Sequence, residues 1–456
     1  MATFTVHNFG CRATDADAAA IRHQFLSRGL SLVSDDSAAD VVVLNTCTVT
    51  AAADAQARDA VRKIHRANPA ARIVVTGCYA QRAPDEVAAM PGVDLVVGNS
   101  HQQEIACELF GASQIALAES CSRSGDLVPL STMQSDPMSL ARGPAKILTG
   151  DIFAGVPMSL DLRPSVGDDR TRPILKIQDG CNNRCSYCVI PFVRGNSRSL
   201  APDAVIERVR GLVAAGAKEI VLSGINLGSY GRDLSPRAEL GAFVRRILDE
   251  TELEQLRFSS IEPQDVTEDF IALVASSQRI APHFHVPLQS GSNRVLRAMR
   301  RWYRAEHYAE RIKRIRTMLP NAGIGADVIV GFPTELEEDF QATVSLIESL
   351  PFTYLHVFSF SSRPGTEAAN LQSGVAGHVI RNRARILRAL GEKKAAEFRA
   401  TQAGRRAKAL TLSRSHQGWT KALTSNYLTV RIAGAVPANE WHEVTIPASP
   451  KEIVPS

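Results

Sequence analysis

Asp179-Gly180-Cys181-Asn182-Asn183-Arg184-Cys185-Ser186-Tyr187-Cys188 holds three cysteines spaced C-x3-C-x2-C. The apolar run Pro173-Ile174-Leu175-Lys176-Ile177 leads into it, and Gly180 turns the chain. Three thiolates from one loop can hold three irons of a [4Fe–4S] cube, whereas a fully ligated cube takes four protein ligands. The missing fourth leaves one iron open to a small molecule. Rival readings explain fewer of these residues. Structural zinc takes four Cys or His in two pairs, and no fourth ligand is nearby. A bacterial ferredoxin site is C-x2-C-x2-C with a fourth Cys. A thioredoxin-type C-x-x-C fits Cys185 and Cys188 but leaves Cys181 unexplained.

Upstream, short apolar runs alternate with helical patterns. Strands are expected at Phe4–Phe9, Val41–Asn45, Arg72–Thr76 and Leu95–Gly98. Helices are expected at Asp15–Arg28, at Ala51–Arg66, after Pro84-Asp85 and from about Gln102. Strands alternating with helices imply a parallel, doubly wound sheet. One cysteine closely follows each of the first three strands: Cys11, Cys47 and Cys78. Loops leaving the carboxyl ends of such a sheet meet on one edge, so the three thiols converge. One buried cysteine would be ordinary core; three in one topological slot point to a cluster site. Cys107 and Cys121 have no such placement and read as non-ligands. Residues 111 to about 170 show no sustained period and read as a long connection with room for a hairpin.

Downstream of Pro173 a second α/β series begins. Strand candidates are Ile174–Gln178, Glu219–Leu222, Leu256–Ile261, Phe284–Leu288, Gly325–Val330 and Leu355–Phe360, with helical stretches between them. Six units suggest an incomplete (β/α)6 barrel, whose chemistry sits at the carboxyl ends of its strands. The cysteine loop follows the first of these strands. Other strand ends are polar or glycine-rich, among them Ser223-Gly224-Ile225-Asn226, Ser259-Ser260-Ile261-Glu262 and Leu288-Gln289-Ser290-Gly291, together with Asp327. Polar groups converging on one rim suit a small polar ligand, although each alone is ordinary turn chemistry. After a basic helix from about His378 to Gln402, four short strands suggest a small β-barrel. Its Trp419 and Tyr427 either stack on RNA or form its core.

The chain of 456 residues, 45% hydrophobic and 22% charged, is expected to form two or three soluble domains. No apolar run is long enough to cross a bilayer, and Met1-Ala2-Thr3-Phe4-Thr5-Val6 lacks a signal-peptide pattern. A cytoplasmic location is expected, so the eight cysteines are metal ligands, catalytic groups or core residues before they are disulfides. The net charge of +5 is unevenly spread. Arg294 to Arg316 holds nine Arg or Lys against Glu306 and Glu310, and Arg381 to Lys421 holds twelve against Glu392 and Glu397. Such clusters neutralise phosphates or form solvated helix faces.

Taken together, the loop Gln178–Pro191, the segments His285-Val286-Pro287-Leu288-Gln289-Ser290-Gly291-Ser292 and Asp327-Val328-Ile329-Val330-Gly331-Phe332-Pro333-Thr334-Glu335, and the upstream cysteines resemble the radical S-adenosylmethionine methylthiotransferases. The resemblance covers nearly the whole chain. It implies an α/β domain with an auxiliary cluster (1–115), a linker (116–168), a partial radical barrel (169–402) and a short TRAM-like β domain (403–456). It implies two [4Fe–4S] clusters, one on Cys11, Cys47 and Cys78 and one on Cys181, Cys185 and Cys188. S-adenosylmethionine would bind the second, with Tyr187, Ser223, Gly224, Asn226, Glu262, Gln289 and Asp327 as candidate contacts. One S-adenosylmethionine would methylate a sulfur at the first cluster. Another would yield a 5′-deoxyadenosyl radical that activates an adenine C2. Asn45-Thr46-Cys47-Thr48-Val49-Thr50, Ala53-Asp54-Ala55 and Gly10-Cys11-Arg12 look most like the branch that modifies N6-threonylcarbamoyladenosine at tRNA position 37. Sister branches modify N6-isopentenyladenosine or a ribosomal-protein aspartate. The short last domain departs from the family pattern. The implied partners are tRNA and an electron donor such as flavodoxin or ferredoxin, with no membrane and a monomeric state. A reading of another class, an iron–sulfur redox sensor that binds RNA, has no use for an open iron.

Overall fold

The computed structural model describes residues 2–110, 144–154, 171–371, 374–416 and 418–454. The described residues group into two units. One comprises Met1–Leu162 with Phe192–Arg194, the other Arg163–Pro191 with Gly195–Ser456.

In the first unit six strands form one parallel sheet. They are β1 (Thr3–Asn8), β2 (Ser31–Leu32), β3 (Val41–Thr46), β4 (Arg72–Gly77), β5 (Val93–Val97) and β6 (Lys146–Leu148), in the order β2-β1-β3-β4-β5-β6. The run Val41-Val42-Val43-Leu44 is buried on both faces, as a central parallel strand covered by helices must be. Its side chains alternate between two cores. Val42 and Leu44 join Ala57, Val61 and Ile64 of the helix Ala51–Ala67 on one face. Val41 and Val43 join Ile21 and Phe25 of the helix Arg12–Leu26 on the other. Ala57, Val61 and Ile64 recur at the i, i+4, i+7 spacing of a helical stripe. Thr50 starts that helix by accepting the Ala53 N–H at 3.2 Å.

Three features differ from the expected layout. The first helix begins at Arg12 rather than Asp15, so Cys11 is its cap residue. The sheet gains β2 and β6, too short to carry a periodic signal. The expected helix from Gln102 is a 3-10 turn, Gln102–Glu104, followed by the helix Ile105–Phe110. Most of the long connection, including Cys121, lies outside the described residues.

The second unit carries β7 (Ile174–Asp179), β8 (Arg198–Ser199), β9 (Glu219–Gly224), β10 (Gln255–Phe258), β11 (His283–His285), β12 (Gly323–Val330) and β13 (Tyr354–Ser359). Parallel pairing runs β7-β9-β10 and β11-β12-β13. Parallel bridges Leu256 to Ile280 and Ser260 to His285 join the two runs. Six parallel strands thus make one curved sheet, the expected partial barrel, while β8 adds antiparallel to β7. Strands β10 and β11 end at Phe258 and His285, earlier than expected, because the chain turns there into the rim.

The remaining strands are β14 (Arg406–His416), β15 (Trp419–Thr424), β16 (Thr429–Ala433), β17 (Trp441–Thr445) and β18 (Ile453–Val454). They form a curled half-barrel in the order β17-β14-β15-β16-β18. Its turn Thr424–Leu428 meets the amino-terminal ends of the barrel strands. Arg257 Nη1 donates to Ser425 O at 2.9 Å, and Asn426 Nδ2 donates to Asn321 O at 3.0 Å. The Tyr427 ring stacks on His283 with centroids 4.2 Å apart. The Tyr427 ring is therefore packed against the floor of the barrel rather than in the core of its own sheet. Trp419 lies beneath the Arg431 guanidinium at 4.4 Å.

Candidate active site

In the first unit the three cysteines stand where the strands end. Cys11 caps the helix after β1, Cys47 follows β3, and Cys78 opens the short helix after β4. The glycines before Cys11 and Cys78 are required by the geometry. Gly10 has φ +139°, and a Cβ there would lie 2.7 Å from Cys47 Cβ. Gly77 has φ +95°, and a Cβ there would lie 2.4 Å from Thr46 O. Neither position accepts an L side chain without displacing its neighbour. Asn45 ties the loops together, donating to Asn8 Oδ1 at 3.1 Å and Thr14 O at 2.7 Å.

The thiols affect one another. Burial pushes the Cys47 thiol up to about 12, and its neighbours Cys78 and Cys11 push the same way. Burial also raises Cys78, opposed first by Arg194. Arg194 is buried and donates to Asp17 Oδ2 at 2.6 Å. The Val49 N–H and the Asn99 amide approach the Cys47 and Cys78 sulfurs at 3.5 Å each. Three convergent, mutually repelling thiols with N–H donors aimed at sulfur fit a cluster carrying anionic ligands. The branch signature has a local role too. Thr48 Oγ1 accepts from Arg82 Nε at 2.8 Å, and Arg82 Nη2 pairs with Asp54 Oδ2 at 3.0 Å.

In the second unit the C-x3-C-x2-C loop leaves β7, as its spacing requires. Gln178 is fully buried beneath it and donates to Gly180 O at 2.8 Å and Ser197 Oγ at 3.0 Å. Its Oε1 accepts the Asn226 N–H at 2.8 Å. Burial pushes the Cys188 thiol up to about 12, with Cys185 and Cys181 adding to it. Burial raises Cys181 as well, and the Asn183 N–H and Asn226 amide oppose it. Arg301 Nη1 approaches Cys185 Sγ at 3.3 Å while its Nη2 pairs with Glu262. Burial raises the Glu262 carboxyl; Arg301 opposes, and Asp265 and Asp327 reinforce. This set also fits a cube with one open iron.

The other expected contacts fall as follows. Ser223 is buried at the end of β9, beside Gly224. Gln289 has φ +65° and bridges to Val328 through its backbone. Tyr187 packs against the apolar group Val295, Met299 and Phe332. Asp327 is engaged by His285 and His356. Sequence reading counted Arg301 only as one charge in a basic run. It also missed Trp302, which is 75% exposed and borders a groove of about 810 Å³ with His307, Arg311 and Lys313. Much of that basic stretch is spent internally. Arg294 pairs with Asp339, Arg300 with Glu367 and Arg314 with Glu268. Cys107 lies half-buried on the helix Ile105–Phe110, in neither set.

Residues 3–98 match the Uncharacterized protein family UPF0004, and residues 175–347 match the Radical SAM superfamily. A threonylcarbamoyladenosine tRNA methylthiotransferase MtaB of Aquifex aeolicus is 36% identical over 93% of this chain and 95% of its own. The Bacillus subtilis protein of the same name is 38% identical over 87% and 82%. The chain belongs to the radical S-adenosylmethionine methylthiotransferases. A tRNA-2-methylthio-N(6)-dimethylallyladenosine synthase of Thermobifida fusca, from a sister branch, is 32% identical over 90% and 77%. Among solved structures, the radical S-adenosylmethionine methyltransferase TsrM of Kitasatospora setae shares the fold. Its TM-score is 0.54 at 16% identity, over 78% of this chain and 73% of that one. This methylthiotransferase therefore works with a [4Fe–4S] cluster and S-adenosylmethionine. Among its described residues, no helix is long and apolar enough to cross a membrane.

Proposed function

We propose that this methylthiotransferase acts on C2 of N6-threonylcarbamoyladenosine at position 37 of tRNA, giving 2-methylthio-N6-threonylcarbamoyladenosine. The observation that carries this reading is the near full-length match to relatives named for that activity, at 36% and 38% identity. Cys181, Cys185 and Cys188 would hold the cluster that binds S-adenosylmethionine, and Cys11, Cys47 and Cys78 a second one. When bound, these groups supply a 5′-deoxyadenosyl radical and a transferable methylthio sulfur. A radical suits the target, since the C2 carbon of adenine carries no acidic proton for a base to take.

The chain's own side chains position and shield. Asn226 and Arg301 address the sulfurs of Cys181 and Cys185. Ser223, Gly224, Asn226, Glu262 and Gln289 are the proposed rim contacts to S-adenosylmethionine, with Tyr187 packed behind the loop; Asp327, held between His285 and His356, is left out of that set. The target base leaves its stack to reach them. Trp302 offers an exposed ring for stacking. Arg381, Arg385, Arg388 and Lys393, exposed on the helix Gly377–Gln402, offer charge to phosphates. A flavodoxin or ferredoxin would supply electrons, and the enzyme would act as a cytoplasmic monomer.

The test is the cluster-reconstituted protein with S-adenosylmethionine, a reductant and tRNA carrying either modification, read by mass spectrometry of the nucleosides. Methylthiolation of the threonylcarbamoylated tRNA is expected. Activity confined to isopentenylated tRNA would overturn the assignment.

A further inference from the structure

His285, Asp327 and His356 come from three adjacent parallel strands, β11, β12 and β13, and belong to neither cysteine set. Register brings them together: His285 lies opposite Gly325, and Asp327 lies opposite His356. Asp327 Oδ1 is 2.9 Å from His285 Nε2 and 3.2 Å from His356 Nδ1. One ligand atom from each residue falls within 4.8 Å of the others. The neighbouring Leu355 packs toward Gly391 of the helix Gly377–Gln402. Because side chains alternate along a strand, His356 and its partners face the opposite way, into the curved interior of the sheet.

We propose that these three side chains form a divalent metal site on the inner wall of the barrel. Two imidazoles and one carboxylate are the ligand set that holds zinc or ferrous iron and leaves further positions open. Ligand atoms each about 2.0–2.2 Å from an ion lie about 3 Å apart when the angle between them is near 90°. The two measured separations already match, and turning the half-exposed His356 ring closes the third.

The site has the outer support that metal-binding histidines receive. The Tyr354 hydroxyl sits 3.0 Å from His285 Nδ1, which directs Nε2 toward Asp327. Tyr354 is held in turn by His283 Nε2 at 2.8 Å. Gly325 makes room for the ring, since a Cβ there would lie 2.0 Å from Tyr354 Cζ. His285 is buried, Asp327 partly so and His356 half exposed, so the open positions are within reach of a ligand. Resting on the function proposed above, those positions suit the carboxylate and hydroxyl of a threonylcarbamoyl group. An isopentenyl group has no atom that could bind there.

The probe is Mn2+ added to cluster-reconstituted enzyme and followed by electron paramagnetic resonance, with Zn2+ uptake measured in parallel by metal analysis. One saturable ion per chain beyond the cluster iron is expected. H356A and D327N should abolish it, and Y354F should weaken it about tenfold, all with iron and sulfide content unchanged. Threonylcarbamoylated tRNA should alter the spectrum of the bound Mn2+, and isopentenylated tRNA should not. No saturable uptake of either ion, or equal uptake by the variants, overturns the site. A spectrum unmoved by both tRNAs overturns the substrate contact. Product formation by wild type, measured separately, reports on the functional assignment alone.

Discussion

Arg301 is one of nine cations in a basic stretch when counted along the sequence, and in space it is a buried charge between Glu262 and the Cys185 sulfur. Hydrogen bonds to cluster sulfurs raise the reduction potential. R301Q should therefore lower the midpoint potential of the cluster proposed on Cys181, Cys185 and Cys188, seen by spectroelectrochemistry, and slow 5′-deoxyadenosine formation. The second cluster, proposed on Cys11, Cys47 and Cys78, should titrate as in wild type. Trp302, next in sequence, stands 75% exposed. W302A should weaken tRNA binding by about 1–3 kcal/mol, the range for one lost stacking contact, with 5′-deoxyadenosine formation in the absence of tRNA intact; filter binding and product analysis check both. The three cysteines of the barrel loop were legible because their spacing is local. The partners of Arg301 were not, because Glu262 and Cys185 lie 39 and 116 residues away. His285 and His356 escaped for the same reason: only strand register makes them neighbours.

At the scale of elements, the alternation of apolar runs and helical stripes revealed both sheets, since Val41-Val42-Val43-Leu44 can hardly be anything but a covered strand. Strand β6 stayed hidden because three residues carry no period. Sequence alone places Tyr427 with the small β domain, whereas its ring contacts are with the barrel floor. There Glu219 pairs with Arg257 at 2.6 Å, both fully buried. Burial alone would raise Glu219, but Arg257 and Arg172 outweigh it and hold the carboxyl below its ordinary 4.5. R257M leaves that carboxylate to Arg172 alone and should cost about 3 kcal/mol near neutral pH, the lower end for breaking a buried pair. A depressed carboxylate stabilises above its unfolded value, and that contribution is lost as the pH falls through the folded one. The gap between R257M and wild type in urea midpoint should therefore be widest near neutral pH and narrow as the pH falls through 4.5 and below.

For the whole molecule, the two units each carry one cysteine set. C47A and C181A should each retain about one cube by iron and sulfide analysis, C47A still forming 5′-deoxyadenosine and C181A not. A single cluster shared by both sets would leave both variants equally depleted. Charge acts at this scale too. Replacing exposed Arg381, Arg385, Arg388 and Lys393 by Gln should flatten the salt dependence of tRNA binding, by close to one unit of log–log slope per lost phosphate contact. The Tyr427 floor has a kinetic consequence. With the turn Thr424–Leu428 set against the amino-terminal ends of the strands, S-adenosylmethionine and the flipped nucleotide would both come in by the opposite mouth. Traffic through one doorway would be sequential: isotope trapping should carry pre-bound S-adenosylmethionine into product when tRNA follows it, and trapping of pre-bound tRNA alone would rule the shared entrance out.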